Sequence, residues 1–145
     1  MTKSARLFVG SIAIFAAGFV FGNVFDAETP LSAQGDKVYE LRTYTTMEGK
    51  LPNLEARFRD HTMRIFENHG ISNVGYWVPE DAPASDNTLI YIIEHDSREA
   101  ADASWGAFRA DPEWSKVAEE SQVDGRIVSN VDSVFMSATD YSPIN

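Results

Sequence analysis

Residues 88–95 read TLIYIIEH. Leu89, Ile90, Tyr91, Ile92 and Ile93 are apolar at both alternations of an extended chain, so a strand here has two faces to hide. Residues 37–46 (KVYELRTYTT) alternate in polarity and are rich in Tyr, Thr and Val, which predicts a second strand. Residues 71–78 (ISNVGYWV) and 129–139 (SNVDSVFMSAT) give two more. Between 71–78 and 88–95, two prolines among Asp, Glu and Asn mark a hairpin loop.

The intervening segments read as helices. Leu51, Leu54, Phe58, His61 and Ile65 recur at steps of 3 and 4, the stripe of a helix facing a sheet. Pro52 suits its first turn, and Gly70 suits the position just past its end. Asp96-Ser97-Arg98-Glu99 has the form of a capping box, and the helix it opens runs through Ala101, Trp105 and Phe108. Asp111-Pro112 then caps a short helix reaching residue 121. The order is β-α-β-β-α-β, an α+β ferredoxin-like pattern. Its helices cover one face of a four-stranded antiparallel sheet. The two-faced strand needs a second cover, and the simplest is a homodimer packing sheet on sheet.

The first 35 of the 145 residues read as a targeting segment, apart from a domain at 36–145. Lys3 and Arg6 precede an uncharged run of 19 residues, 7–25, and Asp26 and Glu28 follow it. Basic before and acidic after directs the C-terminus across a membrane. A cleaved signal peptide fits, with Ala33-Gln34-Gly35 as the small-x-small site. An uncleaved anchor fits as well, with Gly18 and Gly22 as a helix-packing pair. Both alternatives place the domain outside the cytoplasm, exported or membrane-anchored, and limit membrane contact to this segment.

Twelve basic against 22 acidic residues give a net charge of −10, which excludes the basic field a nucleic-acid partner needs. The absence of cysteine excludes disulfides, thiolate catalysis and cysteine metal sites. His61 and His69 stand about 12 Å apart along a helix and cannot share a metal. No zinc-protease, dinucleotide, P-loop or serine-elbow motif occurs. Neither a metal nor a cofactor is expected.

Four stretches resemble the NIPSNAP family: Val38-Tyr39-Glu40-Leu41-Arg42-Thr43-Tyr44, Phe58-Arg59-Asp60-His61-Thr62, Gly75-Tyr76-Trp77, and the run from Trp105 to Trp114 (WGAFRADPEW). They lie in the family's order and span nearly all of residues 37–140. The resemblance implies a dimeric α+β barrel. That superfamily also holds cofactor-free monooxygenases, muconolactone-type isomerases and haem-dependent chlorite dismutases, and its members often bind small molecules between sheet and helices. The NIPSNAP branch itself has no well-established reaction.

His61 lies on the apolar stripe, so it is expected to face the sheet. There it is either a general base lining a cavity or a buried histidine bonded to a strand side chain. Glu40, Arg42 and Tyr44 share one face of the first strand. Arg42 with Tyr44 would clamp an anion or carbonyl; the plainer expectation pairs Arg42 with a glutamate across strands or across the dimer. Tyr76, Trp77, Tyr91, Trp105 and Trp114 are candidates to wall a pocket for an aromatic or apolar ligand, and otherwise they are core and dimer packing residues. Three functions stay open: a small-molecule site, in its catalytic form a cofactor-free oxygenase or isomerase with His61 as base; a non-catalytic interaction module; or a haem-binding relative, which the resemblance admits.

Overall fold

The computed structural model describes residues 37–144. The apolar run at 7–25, and with it the choice between signal peptide and anchor, lies outside the described residues. Among the described residues no helix is long and apolar enough to cross a membrane.

The elements are β1 (Val38–Thr46), α1 (Leu51–Arg57), a π-helical turn (Phe58–Thr62), α2 (Met63–Asn68), β2 (Ser72–Trp77), β3 (Thr88–His95), α3 (Arg98–Ala110), α4 (Pro112–Glu120) and β4 (Val128–Ser137). One antiparallel sheet runs β2-β3-β1-β4. This is the α+β ferredoxin-like topology expected from the order of the elements. Gly70 ends α2 with φ +73, a conformation that favours glycine. The capping of α3 differs from expectation: Ser97, not Asp96, is the cap, and its Oγ accepts from the Ala100 amide at 3.1 Å. Asp111 caps α4 as expected, accepting from the amides of Glu113 and Trp114.

Register fixes which residues share a face. Leu89, Tyr91 and Ile93 of β3 lie opposite Tyr44, Arg42 and Glu40 of β1, and this face meets the helices. Leu54, Phe58, Ile65 and Phe66 pack on it from α1, the π turn and α2, and Trp105 and Phe108 from α3. Leu54, Ile65, Ile71, Tyr91 and Ile93 are completely buried. Burying an aliphatic side chain of this size contributes about 1.5–3 kcal/mol.

The other alternation of β3 shows the second apolar face. Ile90 and Ile92 are only half-buried there. Val134 and Trp77, on the same face of β4 and β2, are 55% and 51% exposed. Trp77 folds back over Gly75: a Cβ at Gly75 would lie 2.5 Å from the indole Cη2. Only glycine leaves room for that ring.

Candidate active or binding site

The site begins with β1. Glu40, Arg42 and Tyr44 point toward the helices, beside Phe135, Ser133 and Val131 of β4. Glu40 is 1% exposed and is the hub. Its Oε1 accepts from Arg42 Nη1 and from Ser133 Oγ, both at 2.5 Å. Its Oε2 accepts from Trp105 Nε1 at 2.7 Å and lies 3.3 Å from His95 Nε2. Burial alone would push this carboxyl up; the hydrogen bonds from His95, Ser133, Trp105 and Arg42 outweigh it and hold the pKa at about 2. An ionised carboxylate only accepts, so His95 carries its proton on Nε2.

Arg42 is therefore fixed by Glu40, and its guanidinium lies 4.5 Å from the Trp105 ring centre. Burial works against its charge, but the phenols of Tyr91 and Tyr44 and the Glu40 carboxylate more than offset that and raise its pKa. Only part of its donor capacity is spent. Nη2 reaches the Tyr44 hydroxyl at 3.4 Å, and Nε is buried without a partner.

Above these groups lies a cavity of about 420 Å³ between the sheet and the helices α3 and α4. Arg42, Tyr44 and Ser133 form its floor, and Trp105, Phe108 and Trp114 its apolar wall. Arg109 and Asp102 also border it. Of the side chains expected from sequence, Arg42, Tyr44, Trp105 and Trp114 come together here, whereas Trp77 lies on the outer face of the sheet. The Arg42–Glu40 pairing is real, but it runs along one strand rather than across strands. Tyr91 and Tyr76 do not line the cavity. They stack on each other at 5.1 Å within the core, and the Tyr76 hydroxyl donates to Asn73 Oδ1. Burial pushes both phenols' pKa values up.

His61 requires a correction. It is exposed, and Thr62 takes the buried position. The cause is the π turn, in which the Met63 amide bonds to the Phe58 carbonyl five residues back. The wider turn rotates the stripe so that Phe58, Thr62, Ile65 and Phe66 face inward. The Thr62 hydroxyl donates to the Arg57 carbonyl at 3.1 Å. His61 opens instead on a separate groove of about 300 Å³, with Arg57, Asp60, Glu120 and Asp124. His69 ends α2 and contacts Asp111 Oδ2 at 2.6 Å, linking α2 to the α4 cap.

From sequence Trp114 is a candidate pocket wall with packing as the plainer reading, Phe108 reads as packing and His95 has an open role; nothing in the sequence singles out Ser133, Asp102 or Arg109. Ser133 sits in an alternating strand and carries no distinguishing signal. Its role depends on β4 pairing with β1. Among the described residues no three His, Cys, Asp or Glu side chains are placed to hold a metal ion.

The fold and the cavity define an α+β ferredoxin-like domain with an aromatic-walled chamber between sheet and helices. A family model described as NIPSNAP matches residues 39–143, and the chain belongs to the NIPSNAP family. The chain is similar in structure to a NIPSNAP family protein of unknown function from Agrobacterium tumefaciens strain C58: 23% identity, TM-score 0.66, covering 78% of this chain and 96% of that one. It is also similar to an uncharacterized NIPSNAP-like domain protein from Burkholderia xenovorans: 15% identity, TM-score 0.65, covering 74% and 90%. A weaker likeness links it to SnoaB, a cofactor-independent oxygenase from Streptomyces nogalater: 16% identity, TM-score 0.48, covering 75% and 99%. These identities speak for the fold alone. No curated protein matches the chain.

Proposed function

We propose that this NIPSNAP domain binds a small, largely apolar or aromatic molecule in the chamber between its sheet and α3–α4. The supporting observation is a single one: an immobilised guanidinium with unspent donors at the floor of a cavity of about 420 Å³ walled by Trp105, Phe108 and Trp114. Ligand pockets combine an apolar lining with a few fixed polar groups in this way. Arg42 and Tyr44 would hold a carbonyl or oxyanion, as the sequence suggested. Proton abstraction by His61 has no support in this geometry, because His61 lies in another groove. The function proposed is therefore binding, with polarisation of a ligand oxygen by Arg42 as the one chemical effect the floor can supply.

Two further proposals concern the whole chain. The half-buried Ile90 and Ile92, with the exposed Val134 and Trp77, favour a homodimer joined sheet to sheet. The uncharged run at 7–25 favours a domain working outside the cytoplasm, exported or anchored.

The test is an NMR titration of the full chain with 2-naphthamide, a neutral aromatic probe. The Trp105 indole N–H, held by Glu40, is expected to shift first, together with the Arg42 and Tyr44 amides. Shifts confined to the His61 groove or to the outer sheet face would overturn the binding site.

A further inference from the structure

The groove beside His61 is separate from the chamber and has a floor of its own. It runs between α1 with its π turn and the end of α4, and its volume is about 300 Å³. Arg57 and Val117 are its buried lining and Ser121 is half-buried beside them. Arg57 is 8% exposed, and it lines this groove rather than the chamber. Its guanidinium packs on Trp114, 5.4 Å from the ring centre. Nη1 makes one long bond, 3.4 Å to Ser121 Oγ, whose own proton goes to the Ala118 carbonyl at 3.2 Å. Nε is buried with no partner. Among the described residues Arg57 forms no ion pair. A guanidinium keeps its proton in a protein, so the floor holds a buried charge with most of its donors unspent.

The rim has the opposite sign. Asp60, Glu120 and Asp124 are exposed along it. Glu120 has one loose contact, 3.8 Å to the exposed Lys116. Asp60 and Asp124 form no ion pair among the described residues. Helix α4 ends at the groove, and its carbonyl end adds to the negative charge there. These carboxylates are not placed to hold a metal ion. A spread set of acceptors suits an ammonium group, which has three diverging protons. Ala56, Val117 and Val123 supply the apolar part of the lining. An anion alone would be repelled by the rim, and a cation alone would leave Arg57 uncompensated. Only a ligand with both charges answers floor and rim together.

We propose that this groove binds a small zwitterion, an amino acid with an aliphatic side chain. Its carboxylate takes the free donors of Arg57, its ammonium lies among Asp60, Glu120 and Asp124, and its side chain rests on Val117 and Val123. The site does not depend on the chamber being occupied.

The experiment is calorimetry on the full chain with leucine, leucinamide and N-acetylleucine. Leucine is expected to bind. Leucinamide, which lacks the carboxylate, should bind about tenfold to a hundredfold more weakly, the range of hydrogen bonds between charged groups. N-acetylleucine, which lacks the ammonium, should bind several-fold more weakly than leucine. Arg57→Met should bind leucine and leucinamide alike. The exposed pair Asp60→Asn with Asp124→Asn should bring leucine and N-acetylleucine together and preserve the gap to leucinamide; it tests the rim whether or not Arg57→Met folds. Leucinamide binding as tightly as leucine to the parent overturns the carboxylate site. A leucine preference that persists in Arg57→Met overturns the role of Arg57. No heat from leucine at millimolar concentration overturns the zwitterion altogether.

Discussion

Glu40 is where the interior is most sensitive to a single atom. Replacing it by Gln weakens four hydrogen bonds and leaves Arg42 buried without its partner. Breaking a buried pair in this way costs about 3–5 kcal/mol, so urea unfolding of Glu40→Gln should show a much lower midpoint with an unchanged slope. The same residue sets an acid limit. Its carboxyl titrates near 2 in the folded chain against an ordinary 4.5. The unfolded chain thus binds the proton more readily, and the stabilisation is complete above pH 4.5 and lost as pH falls toward 2. The linkage is worth about 3 kcal/mol. Unfolding free energies measured from pH 6 to pH 3 should fall for the parent and fall less for Glu40→Gln; parallel profiles would remove Glu40 from the acid response.

At the scale of elements, adjacent residues in the π turn should behave oppositely. His61→Ala touches an exposed side chain and should change stability by less than about 0.5 kcal/mol. Thr62→Val removes the hydroxyl that serves the Arg57 carbonyl and should cost about 1–2 kcal/mol. Thermal melts of the two variants decide the matter, and a destabilised His61→Ala would return that ring to the interior. This turn also marks the limit of what the sequence disclosed. Strand and helix order followed from alternation, from steps of 3 and 4, and from the cap at Asp111, and residues 88–95 were found with their observed bounds. A stripe read at the α-helical period cannot register one wider turn, so His61 was placed inward and Thr62 overlooked. For the site, Glu40, Arg42 and Tyr44 were legible because they alternate along a single strand. Asp102, Arg109 and Ser133 were not, because they reach the chamber from α3 and β4 only after the chain has folded.

For the whole molecule, the outer face of the sheet is the surface on which the proposed dimer would form. Val134→Asp places a charge in the middle of that face, and light scattering should show a dimer of the parent reduced to a monomer at micromolar concentration. A parent that is already monomeric would remove sheet-to-sheet pairing from the proposal. Under the proposed function the two apolar surfaces of the sheet would separate two events: ligand entry on the helical side and self-association on the outer side.

The chain's three tryptophans fall on both sides of that divide. Trp105 and Trp114 wall the chamber, and Trp77 lies folded over Gly75 on the outer face. Were both proposals to hold, light emitted by this protein would be a two-channel record. The proposed occupancy of the chamber would dim or shift the signal of two indoles, and the proposed pairing would move the third from water into an apolar seam. A Trp77→Phe variant would report occupancy alone, and both events could be followed in one cuvette without any attached dye.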